Sequence, residues 1–541
     1  MLALLVLSVS LLLDAVRAAV PLSLNPPPNA GPPVLASFVS FSIEFASFPD
    51  FAGNSSRPNN FSYHLLSNLG RLQGSHPIIR VGGNTQDYAT FNASQEVALV
   101  GSYDFARSRD YPTTISIGPA YFESYSTWPN MTYIHGFNLG TNGSLGHDTL
   151  VGTVPLACEA LSDGRLAYWQ LGNEPDLYKT SAQGPVRPPS WNETDYVQEW
   201  LNKTRTVRQL VQEHCPDVIS QGQFQFYAPS FAGTANNLDL VTTWVAGLDA
   251  DVDIAFIDSH NYIGGATQPG VTLQGTLMNH TSTVQSVVKH VNESSLLADT
   301  GIPYILGEAN SLYNEGAPGL SNSFGAALWG ADFNLYCAAT GIRRVHMHQG
   351  INYRYASWQP VQTVNETWGT KAPYYGNVMV ATFLGDLTQG NVSISDIELD
   401  GDSVYQSAYG AYVDGRLERV AVIQMHAYNY TVTAPADATA TATATASPRP
   451  NETFSFQLPT KTAQGQAASI KTVQVQRLTA NGSDAITGIT FDGYSYNYEL
   501  DGGRPVLLRN VTRGEVLQVS ADGMVAVEVP WSSAAILNLQ W

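Results

Sequence analysis

The chain predicts an α/β fold: a (β/α)8 barrel followed by an antiparallel β-sandwich. Two observations carry this. Eight short β-branched or aromatic runs, separated by segments of helical periodicity, fill the first seventy per cent or so of the sequence. Beyond about residue 385 the texture changes to strands that alternate apolar and polar residues, with Gly, Asp and Asn between them. The length of 541 residues suits one large barrel with a companion domain.

In order, the barrel runs are Leu35–Glu44, Ile78–Gly82, Thr113–Gly118, Leu166–Gly172, Phe224–Pro229, Ile254–His260, Pro303–Gly307 and Arg343–His348. They place the barrel at 35–384. The sandwich, at 385–541, draws on Ser403–Tyr412, Leu417–Tyr430, Thr453–Gln457, Thr472–Leu478, Ser495–Leu500 and Met524–Val529. An Ala- and Thr-rich tract at 431–450 has strand-like sequence on both sides. It is therefore read as a long surface loop within the sandwich, whose threonines suit O-glycans.

Composition excludes several function classes. Lys and Arg number 26 and Asp and Glu 45, a net charge of −19, which argues against nucleic-acid partners because phosphate binding needs clustered positive charge. With only 13% of residues charged and 44% hydrophobic, the chain is no disordered acidic tail. Residues 1–18 read as a secretory signal peptide: Leu2–Leu13 is nearly all apolar, and Val16-Arg17-Ala18 suits a cut after Ala18. No later run reaches the roughly 20 apolar residues of a membrane span.

Fifteen N-x-[ST] sequons, from Asn54 to Asn510, point to a secreted, extracellular glycoprotein carrying N-linked glycans. Cys158, Cys215 and Cys337 allow at most one disulfide, with the pairing open. The oligomeric state is not legible.

Active sites of such barrels lie at the C-terminal ends of the strands. The fourth run ends Gln170-Leu171-Gly172-Asn173-Glu174-Pro175-Asp176 and the seventh ends Leu306-Gly307-Glu308. Hydrolysis of a glycosidic bond with retention needs two carboxyl groups about 5–5.5 Å apart, one protonated and one ionised. Glu174 suits the acid/base, Asn173 the bond to the neighbouring sugar hydroxyl, and Glu308 the nucleophile. Their proton affinities must be pushed apart, and an acidic pH optimum follows. No phosphate loop, Ser-His-Asp order or metal-ligand spacing stands out, so neither metal nor cofactor is expected.

Arg80-Val81-Gly82-Gly83-Asn84-Thr85, Gln170 to Asp176, His260-Asn261-Tyr262, Gly307 to Tyr313 and Asn352-Tyr353 occur in order at the expected strand ends. Together they resemble glycoside hydrolase family 79, which contains heparanase and microbial β-glucuronidases. The resemblance covers nearly the whole chain after the leader. It implies that an N-terminal segment, here 19–34, joins the sandwich, and that Glu174 and Glu308 do retaining chemistry without a metal.

It also implies that Tyr353, and backbone N–H groups following Tyr313 at Asn314 and Glu315, hold a sugar carboxylate, that Glu44 and Asn84 bond outer hydroxyls, and that His260 and Tyr262 orient Glu308. Where heparanase has glycines, this chain has Asn314-Glu315-Gly316, and an acidic Glu315 there must point away from an anionic sugar.

Arg80 is expected to pair with a catalytic carboxylate, and Trp358 either walls the sugar ring or packs in the core. Only 25 residues separate Asp87 from Thr113, too few for an excised linker of the heparanase kind. The expected activity is an exo-β-glucuronidase releasing terminal glucuronic acid, or its 4-O-methyl ether, from extracellular glycans. The alternatives are an endo-β-glucuronidase, a retaining β-glycosidase on a neutral sugar, and a non-catalytic glycan-binding protein.

Overall fold

The computed structural model describes residues 19–181, 184–401, 404–430, 448–460 and 470–541. The leader at 1–18, and all of the 431–450 tract except its last three residues, lie outside the described residues.

Eight parallel strands close a barrel in chain order: β1 (Val39–Glu44), β2 (Ile78–Gly82), β3 (Thr132–Phe137), β4 (Leu166–Leu171), β5 (Phe226–Phe231), β6 (Ile254–Gly265), β7 (Tyr304–Tyr313) and β8 (Val345–Gln349), with β8 pairing back onto β1. Inside, the strand starts supply an apolar plug of Ile78, Ile134, Tyr227, Phe256 and Ile305. Nearer the strand ends the interior turns polar, with Arg80, Gln170, Asp258 and Glu308 all buried.

The third strand departs from expectation. Thr114–Ile117 is the middle strand of a small three-stranded sheet with Ala89–Phe91 and Leu99–Ser102, built on the excursion after β2. Its residues alternate in exposure, as in a sheet with one wet face. Thr132–Phe137 is buried along almost its whole length, as a parallel barrel strand must be.

The C-terminal unit is two packed sheets. The larger is antiparallel and runs Val392–Asp396, Gln406–Val413, Arg416–Gln424, Ser533–Leu539, Thr472–Thr479 and short strands beyond. The smaller joins Asn451–Gln457 to Met524–Pro530 and, in parallel, to Val20–Pro21, so the 19–34 segment crosses from sandwich to barrel. Of Ser495–Leu500, read as strand, Ser495 ends the short strand Tyr494–Ser495, and the helical turn Tyr498–Asp501 takes the rest of the run from Tyr498.

Period-two alternation splits the larger sheet between two cores. Val420 and Val422 face the smaller sheet. Ala421 and Ile423 face the barrel's helices. Between the domains the helix Phe324–Ala339 is buried on nearly every side, which explains its almost continuous apolar sequence. Cys158 and Cys215 form a disulfide joining the ends of two neighbouring helices, and Cys337 is a buried free thiol.

Candidate active site

Glu308 owes its aim to a bulge. Ser259 pairs with Leu306 and His260 with Glu308, so Gly307 is an extra residue in β7. Gly307 donates its N–H to Asp258 Oδ1 over 2.7 Å. A Cβ on it would lie 2.2 Å from that oxygen, so no side chain fits. The extra residue re-registers the strand and sets Glu308 beside His260 at the barrel mouth. Glu174, just past β4, has a left-handed backbone (φ 50°) and donates its N–H to Ser230 O over 2.9 Å. A non-glycine residue pays conformational energy for this geometry, a feature that clusters at functional sites.

One oxygen each from Glu174 and Glu308, together with an imidazole nitrogen of His260, lie within 4.8 Å of one another. Arg80, fully buried at the base of the site, organises the rest. Its Nη1 donates to Glu308 Oε2 over 2.6 Å and to Ser42 Oγ over 2.9 Å, its Nη2 to Asn173 Oδ1 over 2.6 Å, and its Nε to Gln170 Oε1 over 2.8 Å. Tyr262 donates to Glu308 Oε1 over 2.6 Å, so both oxygens of that carboxylate accept a hydrogen bond.

The two carboxyl groups are driven in opposite directions. Burial, then the negative charge of Glu308, raises Glu174 well above the usual carboxylate range. Burial alone would raise Glu308 too, but the positive charges around it win and hold it below that range. His260 is pushed down to about 4 by burial, so at neutral pH its ring is uncharged. The permanent cation beside Glu308 is then Arg80. His348 is buried, but its pKa is raised because it stands between Glu308 (3.4 Å from Nδ1) and Glu44 (3.4 Å from Nε2).

These groups line a cavity of about 930 Å³ that also reaches Asn84, Tyr313, Asn314, Glu315 and Tyr353. Glu44 accepts from the Thr85 N–H (2.9 Å) and from the Tyr353 hydroxyl (3.3 Å). Asn84 Oδ1 accepts from the Asn173 amide over 3.2 Å. Tyr313 is 47% exposed at the rim, with its ring against Gly265. Glu315 turns towards Arg354 (3.8 Å), and burial, with Asp110 nearby, raises its carboxyl to about 7. Below that pH it is largely uncharged, which removes the repulsion its sequence position suggests.

One sequence expectation is corrected and one open alternative is decided. His260 does not orient Glu308: its Nδ1 lies 3.0 Å from Glu174 Oε1. The sixth run, Ile254–His260, continues as β6 to Gly265 and so carries Tyr262 as well. Trp358 is no sugar wall: it is fully buried against Phe41 and Phe51 and donates its indole N–H to Ser62 Oγ over 2.9 Å.

Sequence reasoning gave His348 no role. Its place one residue from the end of β8 marks it, since alternation sends His346 into the barrel below and His348 up to the mouth. Asp87 was missed as well; it accepts the N–H groups of Asn173 (2.9 Å) and Leu139 (3.0 Å) and ties the loops after β2, β3 and β4 together.

The trio Glu174, His260 and Glu308 has the donor atoms for a cation. Its surroundings do not suit one. Both Glu308 oxygens are already engaged, Arg80 brings its charge to 2.6 Å, and Glu174 is driven towards its protonated form.

A closed parallel barrel whose mouth holds one proton-retaining and one ionised glutamate over a polar cavity is the fold and site of a glycoside hydrolase. Residues 408–536 match the glycosyl hydrolase family 79 C-terminal beta domain. A β-glucuronidase of Aspergillus niger is 57% identical over 528 residues, spanning 96% of this chain and 94% of that protein. One of Neurospora crassa is 53% identical over 493 residues, 89% of this chain and 88% of that protein. The solved 4-O-α-L-rhamnosyl-β-D-glucuronidase of Fusarium oxysporum shares the fold, with a TM-score of 0.73 at 23% identity over 96% of this chain and 100% of that one. The chain belongs to glycoside hydrolase family 79.

Proposed function

We propose that this protein is a secreted, retaining exo-β-glucuronidase that releases terminal glucuronic acid from extracellular glycans. The observation that carries the mechanism is the pairing of Glu174 and Glu308, with oxygens within 4.8 Å and proton affinities driven apart. The close relatives named as β-glucuronidases support the substrate class.

In the first step Glu174 gives its proton to the glycosidic oxygen while Glu308 attacks the anomeric carbon. The bond to the aglycone breaks, the aglycone leaves as an alcohol, and a glycosyl–Glu308 ester forms. Glu174, now ionised, takes a proton from water. The resulting nucleophile attacks the same carbon and releases Glu308 with its charge restored. Arg80 and Tyr262 hold the two oxygens of the free nucleophile in place for the attack.

The sugar carboxylate is assigned to the Tyr353 hydroxyl and the N–H groups of Asn314 and Glu315. Outer hydroxyls fall to Glu44 and Asn84, and the hydroxyl beside the reacting carbon to Asn173. Secretion is supported by the Cys158–Cys215 disulfide and by the sequon asparagines, all exposed except the half-buried Asn279. Among the described residues no helix is long and apolar enough to cross a membrane.

The test is turnover of aryl β-glucuronide, its 4-O-methyl ether, aryl β-glucoside and an internal-glucuronide oligosaccharide by the purified enzyme. Preference for the terminal glucuronides is expected, and the methyl ether reads how far that substituent is accepted. Preference for the neutral sugar, or internal cleavage, sinks the assignment.

A further inference from the structure

Asn314, Glu315 and Gly316 follow one another with left-handed backbones (φ 60°, 58° and 79°). For Asn and Glu this conformation costs about 1–2 kcal/mol each, so something outside the turn must hold it. Arg354 does. Its own N–H donates to Glu315 O over 2.7 Å, its Nε to Gly316 O over 2.9 Å and its Nη2 to Asn314 O over 3.4 Å.

One residue therefore takes three successive carbonyls. A turn with its carbonyls on one side carries its N–H groups on the other, a concavity suited to an anion. Among the described residues, the N–H groups of Asn314 and Glu315 meet no protein acceptor. The guanidinium is itself fixed by Asp110, with Nη1 and Nη2 2.7 and 3.0 Å from its two oxygens. Asp110 sits on the excursion after β2, whereas Arg354 directly follows Tyr353.

We propose that Arg354, anchored by Asp110, is a positioning residue for uronate specificity: it locks the 314–316 turn against the Tyr353 loop so that two backbone donors and one phenol converge on the sugar carboxylate. Arg354 need not touch the sugar. Its carbonyl bonds set the donors, and its charge balances Glu315, the one acid on the turn. Asp110, Glu315 and Arg354 sum to a single net negative charge when both acids ionise, and to none when Glu315 keeps its proton. This inference rests on the uronate reading above.

The test compares wild type with Arg354→Met, Arg354→Lys and Asp110→Asn on 4-nitrophenyl β-glucuronide and β-glucoside. Methionine fills the space without charge or donors. Arg354→Met is expected to raise KM for the glucuronide about 10- to 100-fold, the size of one or two charge-assisted hydrogen bonds. Its kcat should stay within about threefold and the slow glucoside reaction should be unchanged, so the preference collapses. Arg354→Lys should fall between, and Asp110→Asn, which keeps the shape if Arg354→Met does not fold, should move KM the same way.

A retained glucuronide preference in the variants overturns the proposal, as does an equal loss on both substrates carried by kcat. A wild type that itself prefers the glucoside overturns the uronate reading first, and the inference with it.

Discussion

Arg80 Nη1 donates to Glu308 Oε2 over 2.6 Å, from a side chain with no exposure to solvent, and the same guanidinium reaches Asn173 on the loop that carries Glu174. One buried cation thus holds the nucleophile ionised and ties it to the strand end of its partner. Arg80→Met should lower kcat by about 100-fold or more, since it strands a buried carboxylate. Losing the cation also raises the pKa of Glu308, so the acid limb of the kcat/KM profile should move to higher pH. An unmoved limb would show that Arg80 is only structural.

The catalytic pair divides by leaving group. Glu308→Gln should cost at least about 10³-fold in kcat on every substrate. Glu174→Gln should cost as much on alkyl glucuronides, whose leaving groups need a proton, and much less on dinitrophenyl glucuronide, whose leaving group does not. Rates across a leaving-group series check this. Equal losses along the series for Glu174→Gln would remove it from the acid role.

The active form has Glu308 ionised and Glu174 protonated. Falling pH takes away the first, through a pKa held below the usual carboxylate range. Rising pH takes away the second, through a pKa raised by burial and by Glu308. Activity should therefore peak on the acid side of neutrality between these limits. In Glu308→Gln the repulsion is gone, so the Glu174 carboxyl, followed by NMR of labelled glutamate, should titrate at lower pH than in wild type.

The two domains meet on a buried charge. Asp332, in the helix Phe324–Ala339, lies 3.0 Å from His280 Nδ1 and accepts from the Tyr409 hydroxyl of the sandwich over 2.7 Å. Asp332→Ala should cost about 3–5 kcal/mol, read by denaturant unfolding. Burial alone would lower His280, but Asp332 raises it to about 9 against an ordinary 6.5. A raised histidine contributes fully below 6.5 and loses its contribution as pH climbs to about 9. Wild-type stability should fall across that window more steeply than that of His280→Phe.

The barrel was legible because seven of its strands are short β-branched or aromatic runs ending in polar residues. The third was misplaced because Thr114–Ile117 is itself a short β-branched run, whereas Thr132–Phe137 carries a histidine and a glycine among its apolar residues. The difference lay in the Thr-Ile-Ser-Ile alternation of the former, which marks a half-exposed strand. Glu174 and Glu308 were legible because each follows an apolar run that leads to the barrel mouth, where such folds carry chemistry, whereas Tyr262 was reached through the family resemblance. Arg354 and Asp110 were not, because Arg354's partners on the 314–316 turn are backbone carbonyls and Asp110 lies 244 residues away in sequence, and no local pattern records such contacts. His260 was assigned to Glu308, its neighbour across the β6–β7 pair, but its Nδ1 meets Glu174 on the loop after β4, a contact between distant segments that no local pattern records.

The first-formed product tests the role of Glu308 most directly. Proton NMR of an aryl β-glucuronide digest, recorded before mutarotation, should show β-glucuronic acid appearing first and the α anomer only later. The α anomer appearing first would mean a single displacement by water, and would contradict Glu308 as the nucleophile.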